Sequence, residues 1–240
     1  MAPNKATGKT PRAMAREKIT ADIIEEGRRQ LAEHGAAGLS LRSVARELGM
    51  VSSAVYRYVA SRDDLLTRLI VDAYDALGEV VEHSVAASRG VAPIDRWVHA
   101  AHEVREWSIN HPHEYFLLYG TPVPGYAAPE MTGISGTRAT RALATIITEA
   151  APQLARHNED PIAMSDDLTA DFAALRTNVD GGGLLADRTL LAFLASWTQL
   201  FGLLSFELSS QTRGMVEHHR DLFDSSARLM ATHMGLAEPN

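Results

Sequence analysis

The sequence predicts an all-α protein in which a small N-terminal helix-turn-helix domain precedes a larger helical bundle. Apolar residues recur at three- and four-residue spacing through most of the chain, and no segment shows the alternation expected of a strand. Residues 41–58, which read LRSVARELGMVSSAVYRY, have the spacing of a helix, a sharp turn and a second helix. A chain of 240 residues, of which 45% are hydrophobic, is long enough to bury a core of this kind.

The first segment of the chain is basic and poor in apolar residues. It contains Lys5, Lys9, Arg12, Arg16 and Lys18. We predict that residues 1–15 form a disordered arm, which either follows the phosphates of a nucleic acid or is a solvated tail. A secretory signal is excluded because no apolar segment follows these charges.

The helix-turn-helix domain is predicted to span residues 16–62. Gly49 lies where the first helix of the motif must end in a left-handed residue. Ser40 is a good N-cap for that helix, because its hydroxyl can accept from an unpaired backbone N–H. Ser61 and Asp64 have the spacing of a capping box that begins the next helix.

The second helix of the motif leaves polar side chains free for a nucleic acid. A helix fits the major groove of DNA, where its N-terminal residues meet base edges while flanking groups hold phosphates. The candidate contacts are Ser40, Arg42, Ser52, Ser53, Tyr56, Arg57, Tyr58 and Arg62. We expect Arg42 and Arg62 to hold phosphates. A helical hairpin whose small residues merely permit close packing is the alternative interpretation.

Charge is distributed unevenly along the chain. The net charge of −7 by itself argues against non-specific binding to nucleic acid. Residues 1–70 contain 12 Lys and Arg against 8 Asp and Glu, a net charge of +4, so the remaining residues carry −11. The basic charge therefore lies with the helix-turn-helix motif.

The second part of the chain, residues 63–240, is predicted to be a helical bundle. Helices are expected at about 61–87, 93–110, 113–120, 137–150, 168–179, 187–208 and 213–234. Residues 120–129 contain three prolines and two glycines, which predict a rigid irregular loop. Ser165 is a plausible N-cap after an acidic loop, and Gly181–Gly183 are expected to separate two helices.

Residues 190–208 are apolar on nearly all faces of a helix. Such a helix must be covered from several directions, so we predict a homodimer, with a monomer that has this helix at its centre as the alternative. No run of about 18 apolar residues is present to cross a bilayer, and no membrane partner is expected.

The residue types exclude several kinds of chemistry. The chain has no cysteine, which excludes disulfides, thiol catalysis and zinc held by thiolates. It has neither a Gly-x-Ser-x-Gly elbow nor a Gly-x-x-x-x-Gly-Lys loop, so we do not expect an enzyme. His99 and His102, with Glu103 adjacent, lack the four-residue spacing of the helical zinc motif. We predict neither a metal nor another cofactor.

Residues from about 16 to 74 resemble the N-terminal DNA-binding domain of the TetR family of transcriptional regulators. The match includes Leu31, Ala32 and Gly35 at the end of a first helix, the helix of residues 40–48, and AVYRYVASRDDLL at residues 54–66. Family members usually show Tyr-x-x-Phe followed by Lys, where this chain has Tyr56, Val59 and Arg62.

The second part of the chain resembles the WHG type of C-terminal domain within the same family. The similarity lies in Asn110-His111-Pro112, in Glu114-Tyr115 and in LYGTPVPGY at residues 118–126. Trp197 and Gly202 of the eponymous motif are present, whereas Phe201 occupies the histidine position. This resemblance implies a homodimer built from the last two helices, with a ligand cavity in the helical core of each subunit. The aromatic candidates for lining that cavity are Trp107, Tyr115, Phe116, Tyr119, Trp197 and Phe201.

Together these observations predict a cytoplasmic, ligand-responsive transcriptional repressor that acts as a homodimer. It would release a palindromic double-stranded DNA operator when a small, largely apolar effector binds the C-terminal domain. Two other hypotheses stay open. One is a repressor that needs no inducer, and the other is a helical carrier or enzyme without a specific operator.

Overall fold

The computed structural model describes residues 10–130, 132–154, 163–179 and 185–236. Within these ranges the chain forms eleven α-helices and no strand, which confirms the all-α prediction. The helices are α1 (Pro11–His34), α2 (Leu41–Glu47), α3 (Ser52–Val55), α4 (Arg62–Ala87), α5 (Pro93–Asn110), α6 (Pro112–Tyr119), α7 (Thr132–Gly136), α8 (Arg138–Leu154), α9 (Asp166–Val179), α10 (Asp187–Leu208) and α11 (His219–His233).

The described chain divides into two compact units. The first contains the residues up to Asp72 together with the segment Thr121–Pro129. The second contains Ala73–Gly120 and the chain from Glu130 onward. The chain thus leaves the first unit within α4, re-enters it after α6, and leaves it again before α7.

The first unit is built on apolar residues of α1 to α4. Its buried side chains include Ile23, Leu31, Leu39, Leu41, Val44, Val55, Val59, Leu65 and Leu66. Gly27 permits a close approach of α1 to α4, because a Cβ at this position would lie 3.1 Å from the Leu65 side chain. A side chain at position 27 would require the Leu65 side chain to shift by a few tenths of an ångström.

Helix α1 begins earlier than the sequence analysis predicts. The Thr10 hydroxyl accepts from the Ala13 backbone N–H at 3.3 Å, and Pro11 occupies the first helical position, where its missing N–H has no consequence. Residues 11–15 are therefore helical and not part of an arm. The rest of the predicted arm, residues 1–9, lies outside the described residues.

The turn between α2 and α3 has the predicted left-handed glycine. Gly49 has φ +65°, and the Met50 N–H donates to the Ala45 carbonyl at 2.8 Å. The Gly49 N–H donates to the Arg46 carbonyl at 3.1 Å, so the two bonds together form a Schellman motif. This motif directs the chain sharply into α3.

Of the two helix caps predicted in the first unit, one forms and one does not. The Ser61 hydroxyl accepts from the Asp64 N–H at 3.0 Å, and the Asp64 carboxylate accepts from the Ala60 N–H at 2.8 Å. At Ser40 the hydroxyl makes no capping bond, which corrects the prediction. The Ser40 backbone N–H instead donates to Gln30 Oε1 at 3.3 Å, because α1 brings that buried amide to the start of α2.

The second unit is a helical bundle in which α5 packs against α6, α8, α10 and α11. The Arg96 guanidinium donates to Glu149 of α8 at 2.6 Å, and Arg105 donates to Glu207 of α10 at 3.0 Å. His102 Nε2 lies 3.0 Å from Asp224 Oδ1 on α11. This hydrogen bond lowers the pKa of the Asp224 carboxyl. Two ion pairs and one hydrogen bond therefore connect α5 to three neighbouring helices.

Most helix boundaries in this unit follow the predictions. Helices α5 and α10 have the predicted limits, and the Ser165 hydroxyl accepts from the Leu168 N–H at 3.2 Å at the start of α9. Helix α11 begins at His219, six residues later than predicted, because the chain forms turns after α10 and Gly214 adopts φ +78°. The predicted break at Gly181–Gly183 lies outside the described residues.

The segment Thr121–Pro129 is irregular, as its prolines predict. It packs within the first unit, where the Tyr126 hydroxyl lies 2.9 Å from the Thr67 hydroxyl of α4.

Helix α10 is the one helix in the described ranges that is long and apolar enough to cross a membrane. The sequence analysis finds no apolar run of that length. The helix carries core side chains, with Leu190, Phe193, Leu200 and Leu204 fully or almost fully buried in the bundle. Packing within the second unit thus accounts for part of its apolar composition.

Candidate nucleic-acid interface and effector groove

Helix α3 and the residues that follow it present several of the predicted DNA-contacting side chains to solvent. Val55 and the following Val59 are fully buried and fix the helix on the core of the first unit. Ser52, Ser53, Tyr56 and Arg57 are exposed, and so is Arg42 on α2, whereas Tyr58 and Ser40 are half-buried. Helix α3 and the turn after it therefore expose two hydroxyls, a phenol and a guanidinium.

Arg16 of α1 positions the end of this surface, a role that the sequence analysis missed. Its Nη2 donates to the Arg57 carbonyl at 2.9 Å, and its guanidinium lies 5.5 Å from the centre of the Tyr58 ring. The bond satisfies a backbone carbonyl at the end of α3. No local signal could have indicated a contact between residues that are 41 positions apart.

Arg62 lies differently from what the prediction of a phosphate contact requires. Its Nη2 donates to the Ala36 carbonyl at 2.7 Å and its Nε to the Leu39 carbonyl at 3.2 Å. Only 33% of the side chain is exposed. The guanidinium thus holds the turn that precedes α2, and this geometry favours a structural role.

Alanine substitutions of Arg57 and Arg62 should have different effects. We expect Arg57→Ala to reduce the slope of log K against log salt concentration by about 0.9, because one phosphate contact is lost. Arg62→Ala should leave that slope unchanged and lower the free energy of unfolding by about 1–2 kcal/mol, because two carbonyls lose a charged donor. Fluorescence anisotropy of labelled DNA at several salt concentrations, with urea denaturation, measures both quantities.

The matched control for these two variants is Arg213→Ala, which removes an exposed arginine from the turn after α10. It should change neither quantity. An equal loss of slope in the Arg57 and Arg62 variants would instead support the predicted contact between Arg62 and a phosphate.

Five of the six predicted cavity-lining aromatics form one aromatic cluster in the second unit. The centroids of neighbouring rings in this cluster are 4.3–6.4 Å apart. Its members are Tyr115, Phe116, Tyr119, Trp197 and Phe201. The Tyr115 hydroxyl donates to the Phe201 carbonyl at 2.6 Å and lies 2.8 Å from the Ser205 hydroxyl. Burial raises the pKa of the Tyr115 phenol and that of Tyr119. Phe116, in contrast, is exposed at the edge of the cluster.

The sixth aromatic, Trp107, lines a groove between α4 and α5 with a volume of about 850 Å³. We refer to it as the α4–α5 groove; its lining residues are Ala76, Glu79, Val80, His83, Ser84, Ala87, Ser88, Val91, His99, Glu103, Trp107 and His111. The His111 ring stacks on Trp107 with centroids 5.3 Å apart, and its Nδ1 donates to the Trp107 carbonyl at 2.9 Å.

Most of this groove could not be predicted from the sequence. His99 and His102, which lack the spacing of the helical zinc motif, both line a smaller pocket between α5 and α11. His99 also lines the α4–α5 groove, whereas His102 forms a hydrogen bond with Asp224. Glu79 and His83 lie on a different helix, so sequence spacing could not have associated them with His99.

A helix-turn-helix unit with exposed polar side chains, followed by a helical bundle, is typical of DNA-binding transcriptional regulators. Comparison with known families gives the same result. A model of the bacterial regulatory proteins of the tetR family matches residues 23–69, and one of the tetracyclin repressor-like C-terminal domain matches residues 97–230. The chain belongs to the TetR family of transcriptional regulators, as its sequence motifs predict.

Individual relatives support the same assignment. The HTH-type transcriptional regulator Mb1846 of Mycobacterium bovis is 40% identical over 228 residues, which cover 90% of this chain and 92% of that protein. The regulatory protein SCO4313, whose crystal structure is known, has 30% sequence identity to this chain. The two structures match with a TM-score of 0.72 over 93% of this chain and 100% of that one. The TetR family transcriptional regulator PfmR from Thermus thermophilus shares the fold, with a TM-score of 0.56 at 15% identity over 87% of this chain and 96% of that one.

Proposed function

We propose that this protein is a cytoplasmic, homodimeric repressor that releases a palindromic operator when a small molecule binds its second unit. The observation that carries this proposal is the course of α4. Leu65 and Leu66, near its start, are buried in the core that supports α3, and Val80, His83 and Ser84 further along line the α4–α5 groove. One continuous helix therefore supports both candidate binding surfaces.

The proposed mechanism is a linkage between two binding events. A ligand that fits the groove better in one position of α4 shifts the population of the protein toward that position. If DNA prefers the other position, each ligand weakens the other by the same factor, which is typically about 5- to 150-fold. Loss of the operator on effector binding would then relieve repression.

Features of α10 and α11 support the proposed homodimer. Phe206 on α10 and Leu229 on α11 are 58% and 65% exposed, which is unusual for large apolar side chains. Gly202 on α10 has no atom within 4 Å of the position that a Cβ would occupy, so this part of the helix surface is open. A two-fold dimer would present two α3 helices to half-sites about 34–36 Å apart on DNA.

Binding to the DNA that flanks the coding region tests the proposal, because regulators of this kind often control neighbouring genes. We expect saturable binding to one palindrome that is at least about 1,000-fold tighter than binding to a shuffled sequence at the same salt concentration. Fluorescence anisotropy measures this ratio. Compounds can then be screened for the ability to lower the affinity for the palindrome. Equal, weak binding to all sequences across the regulator's own genome would contradict the proposal. A specific operator that no compound releases would favour a repressor without an inducer.

A further inference from the structure

The α4–α5 groove has an acidic lining. Glu79 of α4 and Glu103 of α5 both line it, and both carboxylates are exposed. Among the described residues, neither forms an ion pair, and the lining contains no lysine or arginine. The groove therefore presents two carboxylates that no lysine or arginine of the lining offsets.

The rest of the lining suits an apolar or aromatic body. Val80, Val91 and Trp107 contribute apolar surface, and the stacked rings of Trp107 and His111 offer an aromatic face. Trp107 is only 5% exposed, and its indole Nε1 is buried without a hydrogen-bond partner in the part of the chain that is described. This N–H has no surface accessible from the groove and takes no part in the proposed site.

We propose that the α4–α5 groove binds a hydrophobic cation, a molecule with an apolar body and a protonated or quaternary amine. This inference rests on the proposed ligand response and specifies the chemical class of the effector. A hydrophobic anion would be repelled by Glu79 and Glu103. A neutral molecule would leave the carboxylates partly desolvated without a partner, whereas a cation offsets both penalties.

A series of three ligands that differ only in charge tests this proposal. The probes are 4-phenylbutylamine, 4-phenylbutanol and 5-phenylpentanoate, which share one phenylbutyl body and are titrated calorimetrically into the DNA-free, full-length protein. We expect the amine to bind about tenfold more tightly than the alcohol, and the carboxylate to bind more weakly than the alcohol. Equal binding of the amine and the alcohol, or no saturable binding of the amine up to about 10 mM, would overturn the proposal.

Isosteric variants then test which residues are responsible. The double variant Glu79→Gln/Glu103→Gln should lose the preference for the amine, about tenfold, and keep the affinity for the alcohol. The matched control is Glu106→Gln, an exposed carboxylate on the same helix that does not line the groove, and it should behave as the wild type. An amine preference that survives the double variant would place the site elsewhere and contradict the proposal.

An operator-binding assay separates this proposal from the proposed function. If the amine binds through Glu79 and Glu103 but leaves the operator bound, the site assignment holds and operator release by the groove is wrong. If other compounds release the operator equally from the wild type and the double variant, the groove assignment is wrong and the repressor proposal holds.

Discussion

Replacing both Phe206 and Leu229 by glutamate is expected to separate the two subunits and to weaken operator binding more than about 100-fold. Both side chains are largely exposed on one subunit, so their replacement removes little core packing. In a dimer, each charge would instead have to be buried in an apolar interface, which is strongly unfavourable. A separated subunit would contact only one half-site. Analytical ultracentrifugation measures the first effect, and DNA anisotropy measures the second.

The control for this variant is Ile134→Glu, which places the same charge on an exposed isoleucine of α7. It should leave both the sedimentation and the operator affinity unchanged. Circular dichroism should show equal helix content in all three proteins. A double variant that sediments as the wild type does would contradict the proposed interface on α10 and α11.

Breaking the ion pair between Arg105 and Glu207 should be the most destabilising of the changes proposed for the second unit. The two side chains are only 9% and 14% exposed, and the Arg105 guanidinium also lies 5.7 Å from the centre of the Phe223 ring on α11. Arg105→Met would leave the Glu207 carboxylate nearly buried and without this partner. We expect the free energy of unfolding to fall by about 3 kcal/mol. Urea denaturation followed by circular dichroism measures this change.

A double-mutant cycle tests whether the lost partner is the cause. Arg105→Met/Glu207→Leu removes both charges and replaces them with apolar groups, so it should recover most of the lost stability. If the two single losses simply add in the double variant, the pair makes no coupled contribution and the explanation is wrong.

Much of the first unit could be predicted because its signals are local. Gly49 reports a left-handed backbone at its own position, and Ser61 with Asp64 reports a helix start within four residues. In the second unit, Pro93 and the His111–Pro112 step are local signals of the same kind, and they delimit α5. The early start of α1 at Pro11 also has a local signal, which is the Thr10 cap followed by a proline. The low apolar content of the segment nevertheless predicts disorder.

The remaining features depend on contacts that sequence spacing does not encode. Arg62 donates to carbonyls 23 and 26 positions earlier, so its inward orientation could not be inferred from its place at the start of a helix. For the same reason, the sequence could not show that the six aromatic candidates lie in two different places. Trp107 lines a groove that depends on how α4 and α5 pack, whereas the other five contact one another through α6 and α10.

The segment Thr121–Pro129 has a consequence for how this protein can be divided. Because the segment belongs to the first unit and Tyr126 contacts Thr67 there, the DNA-binding unit is not one continuous piece of chain. A fragment that ends at Asp72 lacks part of its own packing surface, and a chimera made by a single crossover in α4 would combine this segment with a foreign partner. Domain exchange in this protein therefore requires that residues 121–129 be transferred together with the N-terminal helices.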